Sequence, residues 1–208
     1  MYEYEKINAR QVSSEIDGFT LERYQQFYRY LPESVESVLD VGCNTGRGGA
    51  VFKQLKPHLR LIGLDCVRSR LDSLPPSIYD KTLCCYSTEI TLDNSSIDAV
   101  VAGEFIEHLL PADVQKTFDE FFRVLKEGSV LLLTTPNPTY IRLKLSGKSV
   151  LSNVHLSEHD PVRLAKSLKK HGFSNILVRG SGKVTRFLGE RWPVLSCYGS
   201  YLLRAEKQ

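Results

Sequence analysis

Of 208 residues only one is tryptophan and one methionine, and no apolar run approaches the roughly 20 residues that a membrane-crossing helix requires. The five cysteines, Cys43, Cys66, Cys84, Cys85 and Cys197, form no C-x-x-C pair and no metal-ligand spacing. An odd set of scattered thiols excludes a disulfide framework and fits a reducing compartment, where cysteine serves as a small buried side chain. The first residues, Met1 to Lys6, show no basic stretch leading into an apolar one. No secretory signal is visible there, and the cytoplasm is the expected location.

What is present is ordinary in amount and uneven in distribution. The chain is 42% hydrophobic and 25% charged, which excludes disordered, collagen-like and coiled-coil classes and suits a single domain over residues 1–208. The formal charge of +3 conceals two unlike parts. Residues 1–138 carry 14 basic and 20 acidic side chains, net −6, whereas residues 139–191 carry 11 basic and 3 acidic ones, net +8. Such a basic quarter points to an anionic partner.

Short runs rich in Val, Ile and Leu alternate with helical patterns from residue 35 to about residue 180. Ser37 to Val41 reads as a buried strand ending at a glycine turn. A helix follows over 46–56, then strands at 59–64, 82–86, 97–102 and 129–134. The periodicity predicts a helix from Pro111 to Lys126, stopped by Gly128, and another capped by Asp160-Pro161 and ended by Gly172. Strands at 174–179 and 196–203 complete the pattern, and residues 19–28 suit an amphipathic helix within an N-terminal helical cap over 1–34. Strands and helices in this alternation form an α/β, doubly wound, mainly parallel sheet. The segment 139–159 is long for a connection and is expected to serve the site on its acceptor side.

In an open parallel sheet, ligands sit beyond the carboxyl ends of the strands, where the strand order reverses. The first strand leads into Asp40-Val41-Gly42-Cys43-Asn44-Thr45-Gly46. Its glycines permit a sharp turn and close approach, and its N–H groups favour an anionic moiety such as a carboxylate. The second strand ends in Asp65, an acid placed to accept both hydroxyls of a ribose.

Together these residues resemble the class I S-adenosylmethionine-dependent methyltransferases. Val38 to Gly46 is similar to the family's first motif, and Leu61-Ile62-Gly63-Leu64-Asp65 to its second. Ile97 to Leu109 looks like the fourth-strand segment of the small-molecule branch. Phe122 to Gly128 with Leu131 to Asn137 looks like the following helix and fifth strand, and His155 to Pro161 extends the likeness. The resemblance implies a Rossmann-like, seven-stranded sheet with an antiparallel last strand. It assigns Asp40, Gly42, Cys43, Asn44 and Gly46 to the methionine end of S-adenosyl-L-methionine. It gives Asp65 to the ribose and places Cys66, with Ser87, Thr88 and Glu89, around the adenine. Gly103 and Glu104 close over the sulfonium. Asn44 stands where the family usually has glycine; asparagine tolerates the left-handed backbone better than most residues.

Methyl transfer to a hydroxyl needs positioning and a base, and histidine is the natural base near neutral pH. His108, just past the fourth strand, and His155 and His159, where the long segment enters the last helix, are the candidates. His108 also has a plainer reading, as a helix-start histidine bonded to backbone. His155, Glu158 and His159 imitate a metal set, but the family motif accounts for that spacing and no metal is expected. Tyr140-Ile141-Arg142-Leu143-Lys144 has the Y-x-x-x-K form of short-chain dehydrogenases, but prolines 136 and 138 precede it and no upstream serine completes the arrangement. A non-catalytic cofactor-binding subunit is a third reading, opposed by the intact pairing of the glycine loop with Asp65.

The acceptor is read from the basic quarter. Arg142, Lys144, Lys148 and Lys183 fall on expected loops near the acceptor side, whereas Lys166, Lys169 and Lys170 suit a solvated helix face. No RNA-recognition motif or aromatic-interleaved basic strand appears, which argues against nucleic acid. The segment His155 to His159 with Gly180-Ser181-Gly182-Lys183 looks like methyltransferases of surface-polysaccharide clusters. The expected acceptor is therefore an anionic or glycan-like molecule; the alternative is a small metabolite such as a quinone precursor.

Overall fold

A computed structural model describes residues 4–9 and 19–208. The N-terminal cap expected over 1–34 is thus only partly within the described residues. Two helices of it are present, α1 (Tyr4–Ala9) and α2 (Phe19–Tyr30).

From β1 (Ser37–Val41) the chain runs through α3 (Arg47–Leu55), β2 (Arg60–Leu64), α4 (Arg68–Asp72) and β3 (Lys81–Leu83). It then crosses back to β4 (Ile97–Gly103), α5 (Pro111–Val124) and β5 (Leu125–Pro136). After α6 (Ile141–Leu145) and α7 (Pro161–Lys170) come β6 (Phe173–Ser181), α8 (Thr185–Leu188) and β7 (Ser200–Lys207). The seven strands lie in the order β3-β2-β1-β4-β5-β7-β6. The first five pair in parallel, and β7 runs antiparallel to both β5 and β6. This is a Rossmann-like, doubly wound and mainly parallel α/β sheet, with its last strand antiparallel as expected. Because β1 has β2 on one side and β4 on the other, their carboxyl ends form the reversal point where a crevice opens.

Both sheet faces are covered, which is why the strands are apolar on consecutive positions. Leu39, Val41, Val100 and Leu131 pack on one face beneath Phe118 and Phe121 of α5 and Leu164 and Leu168 of α7. Val38, Val101 and Leu132 pack on the other, beneath Tyr24 and Phe27 of α2 and Phe52 of α3. Asp160 caps α7 as expected, its Oδ1 accepting from the N–H groups of Val162 and Arg163 at 3.0 Å each.

Several boundaries differ from the sequence reading for identifiable reasons. The third strand covers Lys81–Leu83 rather than 82–86, because pairing with β2 ends at Leu64 opposite Leu83 and the chain then leaves the sheet. The predicted helix over 111–126 stops at Val124, where Leu125 takes up extended backbone and starts β5. The final strand begins at Ser200, not Ser196. Asn137 Nδ2 donates to the carbonyls of Leu195 and Tyr198, at 2.8 and 3.1 Å, and holds that stretch in a tight turn until Ser200 pairs with Pro136. The short helices α4, α6 and α8 have too few residues to show an apolar period.

Candidate functional site

The glycine turn after β1 is held open by its own backbone. Gly42 and Cys43 N–H both donate to the Leu64 carbonyl, at 2.8 and 3.0 Å, tying the ends of β1 and β2 together. Gly42 has φ +74°, and a Cβ there would meet the Phe105 ring at 2.6 Å. Asn44 follows with φ 48°, in the left-handed region its side chain tolerates. Its N–H donates to Asp65 Oδ2 at 3.1 Å, while Val67 N–H donates to Oδ1 at 2.9 Å. Arg70 Nη1 stands 3.7 Å from the same carboxylate. Asp65 is buried, and its two backbone donors fix the direction in which its remaining lone pairs point.

These residues form one wall of a cleft. Asn44, Asp65, Cys66 and Arg70 lie along it, with Ser87 and Thr88 from the loop after β3, and Gly103, Glu104 and His108 from the end of β4. Tyr4 and Asn8 of α1 line it as well. The Tyr4 hydroxyl donates to Asp113 Oδ2 at 2.5 Å and accepts from Leu110 N–H at 3.0 Å, which fixes α1 against the start of α5. Two buried acceptors in the cleft wall accept no hydrogen bond from the described residues, Asn44 Oδ1 and Glu104 Oε1, the latter with only the Arg23 guanidinium 3.9 Å away. Leaving a buried polar atom unpaired costs about 1–3 kcal/mol, so two in one cleft mark where a ligand's donors belong.

The structure separates the residues that the sequence grouped. Of the expected adenine-side residues, Ser87 and Thr88 line the cleft together with Cys85 and Tyr86, whereas Glu89 is exposed outside it. Ser87 Oγ is hydrogen-bonded to Thr117 Oγ1 at 2.8 Å, so its hydroxyl supports the loop. Cys43 and Gly46 belong to the turn itself. Asp40 lies beneath it, fully buried, accepting from the Tyr24 and Tyr79 hydroxyls at 2.6 Å each. Burial pushes its carboxyl up to about 6, against the opposing pull of the two tyrosine bonds. Neither tyrosine was legible as part of the site. The glycines after the turn accommodate them: a Cβ on Gly48 would fall 2.0 Å from the Tyr24 ring.

Of the histidines, only His108 faces the cleft. Its Nδ1 is 2.8 Å from the Val154 carbonyl, an acceptor, so Nδ1 carries the proton and Nε2 keeps a lone pair. Burial lowers its pKa below the usual histidine value. His155 is arranged alike, Nδ1 donating to the Val150 carbonyl at 3.0 Å, and its ring lies 5.0 Å from that of His108. Glu107, buried beside them, has its Oε2 on the Thr135 hydroxyl at 3.0 Å; burial, then the Glu104 carboxylate, push its carboxyl well above the normal range. Ligand atoms of Glu107, His108 and His155 lie within 4.8 Å of one another, a spacing at which a divalent cation could be held. His159 lies elsewhere, bonded through Nε2 to Ser157 Oγ at 2.9 Å, its pKa depressed to about 4 by burial. Glu158 is exposed near it, on a separate surface groove.

A second, wider cleft meets the first at Glu104. Its walls are α2, through Arg23, Gln26 and Arg29, and the turn after β6, through Gly182, Lys183 and Arg186. Tyr140 and Ser200 close its floor. Glu104 stands at the junction with φ 49°, an unfavourable backbone for a non-glycine residue, its Oε2 accepting from Ser200 Oγ at 3.2 Å and its Oε1 3.9 Å from Arg23 Nε. Lys183 lines this cleft, whereas Arg142, Lys144 and Lys148 are exposed beyond it, and Lys166, Lys169 and Lys170 are exposed on α7.

Comparison with known proteins bears on the same segments. Residues 39–133 match the model of a methyltransferase domain. A probable S-adenosylmethionine-dependent methyltransferase of Mycolicibacterium smegmatis is 30% identical over 166 residues, covering 76% of this chain and 60% of that protein. One of Mycobacterium tuberculosis is 25% identical over 173 residues, covering 80% and 60%. The chain therefore spans about three-fifths of the length of the curated relatives it matches. A SAM-dependent methyltransferase from Archaeoglobus fulgidus superposes with a TM-score of 0.70 at 19% identity, covering 90% of this chain and 92% of the other. The [4+2]-cyclase SpnF superposes nearly as well, at 0.68 and 16% identity over 90% and 81%. At such identities the likeness establishes the fold, and the reaction must be argued from the site.

Proposed function

Since the chain belongs to the class I S-adenosylmethionine-dependent methyltransferases, we propose that it transfers a methyl group from S-adenosyl-L-methionine to a hydroxyl of an anionic or glycan-like acceptor. The observation that carries this reading is the pair of buried acceptors that accept no hydrogen bond, Asn44 Oδ1 and Glu104 Oε1, in a cleft that also holds Asp65. They suit a ligand rich in N–H and O–H donors and cationic near Glu104. Asp65 holds the ribose hydroxyls, Cys66 and the 85–88 loop flank the adenine, and Asn44 and Glu104 take the methionine end. Asp40 acts one layer down, fixing the glycine turn through Tyr24 and Tyr79.

When bound, the sulfonium supplies a methyl carbon to an oxygen approaching opposite its bond to sulfur. This chain's residues position that oxygen and take its proton. The wider cleft meets the first at Glu104, so an acceptor lying between α2 and the turn after β6 presents a hydroxyl at the junction. His108 is the base: its Nε2 lone pair is free because Nδ1 is committed to Val154, and burial keeps the ring neutral. The cationic side chains Arg23, Arg29, Lys183 and Arg186 favour an acceptor carrying carboxylate or phosphate, as nucleotide-linked, lipid-linked and acidic polymeric sugars do. The test is transfer of a labelled methyl group to a panel of nucleotide sugars, glycans and phenols. Turnover of an anionic sugar is expected; strong phenol turnover with no sugar turnover would overturn the acceptor assignment.

A further inference from the structure

Ten large hydrophobic side chains are exposed among the described residues, and seven of them lie in two short segments, 141–151 and 187–194. Both segments leave the rim of the acceptor cleft. Tyr140, which lines it, immediately precedes α6, and Lys183 to Arg186, which also line it, lead into 187–194. Asn137 binds the two together at their base through the Leu195 and Tyr198 carbonyls. Leu145 of α6 is 83% exposed, Phe187 of α8 is 86% exposed, and Trp192 is half exposed. Exposed aromatic and long aliphatic side chains in such number are an interaction surface, not scattered surface residues.

The charge around them is of one sign. Arg142, Lys144 and Lys148 stand exposed in the first segment, which has no acid between residues 139 and 157. Lys183, Arg186 and Arg191 stand exposed around the second. The only acid there, Glu190, is turned inward, accepting from Arg29 at 2.8 Å, the Tyr30 hydroxyl at 2.9 Å and Gln26 at 3.0 Å. Arg186 is paired with Glu22; the other cations face water or, for Lys183, the Phe19 ring. Apolar side chains interleaved with cations on short helices suit the boundary between lipid headgroups and acyl chains.

We propose that this rim docks on an anionic lipid surface, so that the acceptor cleft receives a substrate anchored in that surface. The inference rests on the acceptor side of the functional reading and narrows it: the anionic group of the acceptor is carried on a lipid. Leu145, Phe187 and Trp192 enter the interface, while the cations hold the headgroups. Of the six exposed cations only Arg186 is paired with an acid among the described residues, Glu22, so the rim presents a net positive charge around its apolar side chains, which suits an anionic headgroup surface.

The test is co-sedimentation of the full chain with vesicles of phosphatidylcholine alone or mixed with phosphatidylglycerol, with S-adenosylhomocysteine binding measured calorimetrically on the same samples. Binding to the anionic vesicles is expected, weakened by salt and negligible on phosphatidylcholine. Phe187→Ser with Trp192→Ser should abolish it, and each charge neutralised to Gln among Arg142, Lys144 and Lys148 should weaken it about fivefold. Both variant sets should leave S-adenosylhomocysteine binding unchanged, which shows the domain intact. No vesicle binding with nucleoside binding retained would overturn the surface alone; loss of nucleoside binding by the unaltered chain would overturn the functional reading instead. A dimer in light scattering that Phe187→Ser with Trp192→Ser dissociates, without vesicle binding, would assign the rim to a second copy and overturn the proposal.

Discussion

The Tyr24 hydroxyl donates to Asp40 Oδ1 at 2.6 Å, joining the helix that walls the acceptor cleft to the strand that carries the glycine turn. Tyr24 can lie there because Gly48 has no side chain; a Cβ at that position would overlap the ring. Gly48→Ala should therefore destabilise the fold by about 1–3 kcal/mol through overpacking and loosen α2 over the site. Chemical denaturation checks the first effect. A midpoint unchanged from the parent would show that the ring moves aside without cost.

Asp40 gives a pH dependence whose sign is fixed. Its folded-state pKa of about 6 exceeds the ordinary value of 3.8, so the folded protein holds this proton more tightly than the unfolded chain. Its contribution to stability is complete below about pH 4 and is lost as pH rises through 6, amounting to roughly 3 kcal/mol by pH 7. Asp40→Asn removes the titration. The difference in unfolding free energy between parent and variant should change across pH 4–7 and be flat above it. A constant difference across that window would contradict the burial argument.

The cleft's polar wall should separate binding from chemistry. Asp65→Ala removes the cleft carboxylate that two backbone donors fix, and should weaken cofactor binding by about 1.5–3 kcal/mol, roughly ten- to a hundredfold. Asn44→Ala leaves no unpaired oxygen and should cost less. Equal or reversed losses in calorimetric titrations would mean that the ligand lies differently in the cleft.

His108→Gln should lower kcat by about 10²–10⁴ while leaving cofactor affinity nearly unchanged, as expected for a general base. His155→Gln, whose ring does not line the cleft, should have a smaller effect. Because burial holds the His108 pKa below its usual value, the parent's rate should stay level through neutral pH and fall only in acid. Treatment with a chelator should leave the rate intact. Loss of activity on chelation, restored by a divalent metal, would instead make Glu107, His108 and His155 a cation site.

The succession of strands and helices, the glycine turn and Asp65 could be read from the sequence because each rests on local signals: apolar runs, a turn requiring positive φ, and an acid at a strand end. Tyr24, Tyr79 and Arg70 could not be, because they reach the site from helices and loops whose packing no local pattern announces. The histidines show the same limit. Three were named, and the fold turns only His108 into the cleft while Ser157 and the Val150 carbonyl hold His159 and His155 elsewhere. The basic quarter was visible as a count, but its division between cleft, helix face and apolar rim required the fold.

Calorimetric titration of the purified chain with S-adenosyl-L-methionine and, separately, with NAD(P)H tests the central claim most directly. Saturable binding of one S-adenosyl-L-methionine per chain, weakened by Asp65→Ala and without detectable NAD(P)H binding, is the predicted result. Binding of NAD(P)H with none of S-adenosyl-L-methionine would contradict it.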